Sequence, residues 1–238
     1  LRAEAVALGV GLFLAYVWTD FPLQYASFGM LPYLLAIPLG LVATVAFGRY
    51  LDAGGLGWWV AAGLLCSLVV LVHLTAAMVV APAALAAYAV AIRRRLPWSR
   101  HVGVWLIPLA VLALNAFWWW PGIWLAGTKG DSTFAFAHSS EGVLRRLVQI
   151  LHSEPPIQAI LWAVGLPGLV VLARATRVGG AALAGFAAAG FGWGYGAGAS
   201  AAMDFLQPGR HTFALYSALA LAGGIGLAEF LHALRPVG

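Results

Sequence analysis

The chain has 238 residues, of which 63% are hydrophobic and 9% charged, whereas roughly a quarter of the residues in a water-soluble domain are charged. Thirteen Lys and Arg with eight Asp and Glu cannot cover a soluble fold of this size, so lipid is the expected solvent for most of it. The net charge of +5 comes from single basic residues and one short triplet between apolar runs, which argues against a nucleic-acid partner, and the lone Cys66 excludes an intrachain disulfide or a thiolate zinc cluster.

Apolar stretches fall at about 3–19, 30–48, 58–73, 76–92, 102–125, 157–173, 179–200 and 213–233. The first is followed by Asp20 and Pro22 and not by a small-residue cleavage site, so it reads as a retained span. A single helix over 58–92 would be about 52 Å long at 1.5 Å per residue, too long for roughly 30 Å of hydrocarbon. A break at His73 and Thr75 is therefore expected.

The connection 127–156 is the long one. Within it, from Glu141 to His152, Val143, Leu144, Leu147, Val148 and Leu151 recur at helical spacing around Arg145, Arg146 and Gln149, which predicts a short amphipathic helix on the membrane surface, capped by Ser139 or Ser140. In the seventh stretch Gly190, Gly194 and Gly198 recur every four residues, with Gly192 and Gly196 as a second row, a spacing that lets a neighbouring backbone approach. Glu229 in the last stretch is explained by pairing with His232 or by snorkelling.

The expected fold is an all-α, polytopic transmembrane bundle of about eight spans, a single domain over 1–238 with both ends cytoplasmic. That orientation puts Arg2, Arg49, Arg93, Arg94, Arg95, Arg100, Arg174, Arg177 and Arg235 inside, against Lys129, Arg145, Arg146 and Arg210 outside, as the positive-inside rule requires. Trp58, Trp59 and Trp98 then fall near the inner interface and Trp118, Trp119, Trp120 and Trp124 near the outer one, where indoles anchor. The outward side receives the carboxylates Asp20, Asp131, Glu141, Glu154 and Asp204 and the imidazoles His73, His138, His152 and His211. None has a short metal-ligand spacing such as HExxH, so neither a metal nor another cofactor is expected. His73 lies where an ionisable group faces a cavity or a partner, or packs satisfied by a backbone carbonyl.

Three stretches carry a resemblance: Phe28-Gly29-Met30-Leu31-Pro32-Tyr33, Leu71-Val72-His73-Leu74-Thr75-Ala76 and Leu206-Gln207-Pro208-Gly209-Arg210-His211. With the hydropathy pattern they resemble the polytopic GT-C glycosyltransferases, which use polyprenyl-phosphate-linked sugars at the outer membrane face. The resemblance implies a bacterial inner (plasma) membrane protein whose first outward loop supplies a catalytic acid, here Asp20, and whose outward basic residue, here Arg210, contacts the lipid phosphate. The chemistry asks for a carboxylate to deprotonate the acceptor hydroxyl and a cation to stabilise the departing phosphate. Asp20 or Asp204 fits the first role, and Arg210 with Arg145 or Arg146 the second, with His211 and His73 completing a phosphate or lipid-head site. Expected partners are membrane lipids, the polyprenyl-phosphate-linked sugar and further membrane subunits. A lipid or small-solute transporter and a non-catalytic structural subunit are the alternatives.

Overall fold

Every apolar stretch of the sequence becomes helix in the computed structural model, which describes residues 3–19, 30–125, 127, 139, 141–152 and 156–234. The helices are α1 (Ala3–Thr19), α2 (Leu31–Ala53), α3 (Leu56–Val72), α4 (Ala77–Ile92), α5 (Trp98–Leu114), α6 (Ala116–Trp124), α7 (Val143–Ile150), α8 (Ile157–Ala175), α9 (Arg177–Phe191) and α10 (Thr212–Ala233). Pro38, Pro82, Pro108 and Pro167 lie inside them, which is tolerated where neighbouring helices support the interrupted backbone ladder.

Four helical segments are long and apolar enough to cross a bilayer: Leu31–Ala53, Leu74–Ile92, Ile157–Ala175 and Pro208–Ala233. Taking α5 and α6 as one broken span makes five. The shorter helices α1 and α3 are equally apolar at 17 residues each. Large apolar side chains such as Leu35, Val45, Leu64, Leu85, Leu109 and Val170 stay exposed. Water would not accept so much uncovered apolar surface, and lipid does. The chain is thus an all-α bundle of the kind an integral membrane protein requires.

The expected break at His73 is present. His73 is extended (φ −160°, ψ 107°) between α3 and a 3-10 turn at Leu74–Ala76. α3 starts beside the end of α2, and α4 returns there, where Arg94 meets Asp52 at 3.6 Å. The two helices therefore run in opposite directions. α2 ends at Gly54, whose positive φ of 72° suits glycine. The Arg100 guanidinium donates there to the Leu51 and Asp52 carbonyls at 2.7 and 3.1 Å, satisfying the free acceptors of a helix end.

Two stretches differ from the sequence reading. The stretch 102–125 is not straight: α5 and α6 meet at 65°. The buried Asn115 sits at the bend, donating to the Val111 and Ser67 carbonyls at 2.9 and 3.2 Å and accepting from the Trp118 indole at 3.0 Å. Trp119 donates to the Leu112 carbonyl at 2.7 Å. Two indoles of the tryptophan cluster thus bond at the break, while Trp120 and Trp124 are exposed. The stretch 179–200 is α-helical only to Phe191, because alternating glycines hold the α-form weakly. A π-helical turn, Gly192–Gly196, follows, then 3-10 turns at Ala197–Ala199, Ala201–Leu206 and Pro208–His211.

α10 is the centre of the bundle, with every residue from His211 to Ala220 buried. It lies against α1, α8 and α9 at glycines: Gly9 meets Gly224, Gly168 meets the Ala222 carbonyl, and a methyl at Gly190 would stand 2.5 Å from the Leu215 nitrogen. The expected glycine row is a contact row. A methyl at Gly194 would lie 2.8 Å from the Thr212 nitrogen and one at Gly198 2.8 Å from Arg146, while Gly192 and Gly196 have nothing within 4 Å.

Candidate functional site

The Leu206–His211 stretch turns into α10 through Gln207, which takes the left-handed conformation (φ 48°, ψ 62°) although it is not glycine. Proline at the next position further restricts that backbone, so the surrounding packing must hold the turn. Its effect is to deliver Arg210 and His211, both buried, into the end of the bundle where α2 begins and α3 stops.

There Tyr33, His73 and Arg210–His211, one part of each stretch singled out in the sequence, converge. The Tyr33 hydroxyl, at the start of α2, shares a 2.8 Å hydrogen bond with His211 Nδ1. Arg210 Nη1 stands 3.5 Å from His73 Nε2, and Nη2 donates to the Leu206 carbonyl at 3.2 Å. The guanidinium carbon lies 5.4 Å from the centre of the Tyr33 ring, within cation–π range. Edge-on contacts of 5.0 and 5.5 Å set the Tyr33 ring against His73 and His211. Thr75 Oγ1 bonds His73 Nδ1 at 2.9 Å, leaving Nε2 directed to the arginine. His211 Nε2 is buried and lacks a hydrogen bond of good geometry among the described residues.

A second arginine approaches from α7. Arg146 donates to the Gly194 carbonyl at 3.2 Å and lies 4.6 Å above the Tyr195 ring. The Tyr195 hydroxyl meets that of Tyr216 at 2.6 Å. Because Gly194 also packs on Thr212, the wide glycine turn joins Arg146 to the His211 end of α10. Arg145 points the other way, exposed and paired with Glu141 at 3.5 Å. α7 is shorter than expected, and the cap differs: Gly142 occupies the N-cap without a side-chain bond, while Ser139 Oγ accepts from the Glu141 amide at 3.2 Å. Ser140 lies outside the described residues. Leu144, Val148 and Leu151 form an exposed apolar stripe on α7, suited to the membrane surface.

Where α2 begins and α3 ends, an open apolar hollow of about 680 Å³ is lined by Leu31, Pro32, Leu34, Leu35 and Val72. Its lining residues neighbour Tyr33 and His73 in the chain, and Arg210 is not among them. No protein family, curated protein or solved structure matches this chain.

Of the expected site residues, the structure brings together His73, Arg210 and His211, sets Arg146 beside them and turns Arg145 away. Asp204 is half-buried in the turn six positions before Arg210. Asp20, Asp131, His138 and Glu154 lie outside the described residues. Among the described residues no three His, Cys, Asp or Glu gather as a metal site would need. Sequence reasoning missed Tyr33 and Thr75 as site members. The signal for Tyr33 was its hydroxyl at the mouth of an otherwise apolar span.

Burial, and then the Arg210 guanidinium, hold the His73 imidazole down to about 4, from an ordinary 6.5. The ring is therefore neutral at physiological pH and accepts from Arg210 without competing for charge. The unfolded chain takes up this proton below about pH 6.5 and the folded one only near 4, so stability is lost as pH falls through that window. Partial exposure limits the loss to about 1 to 2 kcal/mol. Replacing His73 by Gln should flatten the fall in detergent unfolding midpoint between pH 6.5 and 4. An equally steep fall in the variant would assign the acid sensitivity to other groups.

Proposed function

We propose that the protein is a membrane glycosyltransferase that moves a sugar from a polyprenyl-phosphate donor to an acceptor at the outward face of a bacterial inner membrane, with about eight spans and both ends cytoplasmic. The observation that supports it is the meeting of Arg210, His73, His211 and Tyr33 at the end of the bundle where the apolar hollow opens. A phosphate joined to a hydrocarbon tail calls for a guanidinium for the oxygens and an apolar surface nearby for the first isoprene units. Arg210 is the phosphate ligand in this reading, with Arg146 the next cation. His73 and Tyr33 position the guanidinium.

Sugar transfer requires an acceptor oxygen to attack the anomeric carbon while the bond to phosphate breaks. The acceptor proton passes to a carboxylate, Asp20 or in its place Asp204, and the departing phosphate keeps the bonding electrons and gains negative charge beside Arg210. The test is transfer of radiolabelled sugar from polyprenyl-phosphate donors by the intact protein in membranes. Transfer lost in Arg210 and Asp20 variants supports the reading. Absence of transfer with every donor, alongside flux of a lipid or solute or an assembly defect, replaces it with a transporter or a structural subunit.

The orientation has its own test. The segment 93–100, with Arg93, Arg94, Arg95 and Arg100, should face the cytoplasm. A cysteine placed at Ser99 after Cys66 is replaced should resist an impermeant thiol reagent in intact cells. Labelling from outside would invert the topology and place the Arg210 site on the inner face.

A further inference from the structure

At the opposite end from Arg210, α4 and α8 finish and α9 begins, and a cleft of about 370 Å³ lies between them. Arg93, Arg94 and Arg177 line its mouth, and Val90, Ala181 and Ala184 are among its apolar walls. We infer that this cleft binds an anionic phospholipid, its phosphate held among the three guanidinium groups and the upper part of one acyl chain lying along the apolar wall between α4 and α9.

Arginines at a helix C-terminus complement the helix dipole, which accounts for Arg93 and Arg94 at the end of α4. It does not account for Arg177. That residue opens α9, at the positive end of a helix, where a cation is disfavoured. Burial does not explain it either, since all three side chains are exposed. The local acid is Asp52, which meets Arg94 at 3.6 Å with both side chains about half exposed. Among the described residues neither the Arg93 nor the Arg177 side chain makes an ion pair or hydrogen bond. Three positive charges are thus concentrated against one acid and aided by the α9 dipole at the end of the bundle.

The walls decide what kind of anion fits. A free phosphate or sugar phosphate gains nothing from Val90, Ala181 and Ala184, whereas Gly180 on the same lining lets α8 pack closely on α9, a methyl there colliding with Ala173. A glycerophospholipid supplies both halves at once, a charge for the arginines and a chain for the wall. Basic pockets between membrane helices take anionic headgroups on the same physical basis. Nothing in this site depends on the transferase reading.

The test uses the full chain in mild detergent, with bound lipid read by native mass spectrometry after incubation with phosphatidylglycerol or phosphatidylcholine. Phosphatidylglycerol should be retained preferentially, and the preference should shrink as salt rises. Replacing Arg93, Arg94 and Arg177 by Gln should weaken retention about fivefold for each guanidinium removed. Ala184→Phe, which leaves every charge in place and fills the slot, should also reduce retention. Arg174→Gln, outside the cleft, should change nothing. Equal retention of both lipids, full retention in the triple variant, or displacement of the lipid by an equal concentration of glycerol phosphate would each overturn the site. Equal loss in Arg174→Gln would do so too, by reducing the effect to diffuse surface charge.

Discussion

On the proposed transferase reading, replacing Arg210 by Ala is expected to reduce sugar transfer more than 10²-fold and to weaken binding of the polyprenyl-phosphate donor as well. The guanidinium is the one charge in the cluster with fixed geometry: one nitrogen is set by His73, another by the Leu206 carbonyl, and its face lies over Tyr33. A cation preorganised in this way attracts phosphate in the bound donor and counts for more as the leaving phosphate gains charge. Asp20→Asn separates chemistry from binding. It should lower turnover by 10²-fold or more while leaving donor binding nearly intact, since the carboxylate acts only when the acceptor gives up its proton.

Alanine at position 210 also strips a buried donor from two acceptors, so activity must be expressed per folded molecule. Arg210→Lys supplies the control. It keeps the charge but cannot reproduce the planar fork over the tyrosine, so donor binding should survive in part and turnover should stay low. Donor affinity unchanged in both Arg210 variants would remove Arg210 from the phosphate site. Full transfer by Asp20→Asn would make Asp204 the next candidate base.

The helices were legible because hydropathy needs no knowledge of contacts. A run such as 30–48 must leave water wherever it folds, and α2 begins within one residue of it. What the pattern hid is geometry set by single polar groups. Asn115 reads as an isolated polar residue in an apolar run, and only its bonds to Ser67 and Trp118 reveal the bend. The wide turn at Gly192–Gly196 hid in the same way: the glycine row announced close packing but not the loss of α-helical pitch.

The site was legible in its members and not in its wiring. His73, Arg210 and His211 were marked by type and by their place between spans, but Tyr33 and His211 are 178 residues apart, a separation that one sequence cannot bridge. The difference between Arg145 and Arg146 came only with the structure. Arg146 shares the helical face of Val143, Leu147 and Ile150, the residues of α7 turned toward the bundle, whereas Arg145 lies off it. Phase about the whole apolar set does not separate the two, because Leu144, Val148 and Leu151 face away from the bundle; only the burial of Val143, Leu147 and Ile150 does.

A methyl group at residue 168 should cost this protein more stability than one at any other glycine packed against α10. In α8, Gly165 and Gly168 face Leu219, Ala222 and Gly226 of α10, and Gly226 in turn stands 3.0 Å from the Gly168 backbone when given a methyl. A methyl at Gly168 would overlap the Ala222 carbonyl, which is backbone and has no rotamer to escape into. The helices must separate or the site must tilt, and because α10 is the buried centre of the bundle, either motion disturbs its contacts with α1 and α9 too. Overpacking of a rigid contact costs about 1 to 3 kcal/mol and occasionally more, and Gly168→Ala is expected at or above the top of that range. Gly11→Ala is the matched control, a glycine inside α1 with nothing within 4 Å. There the same methyl should stabilise by about 0.5 to 1 kcal/mol through reduced chain entropy. Denaturant midpoints in detergent measure both. Similar midpoints for the two variants would mean that α8 and α10 do not meet backbone to backbone. A large loss for Gly168→Ala alone, with donor binding impaired in the folded fraction, would tie the α8–α10 contact to the Arg210 site at the head of the same helix.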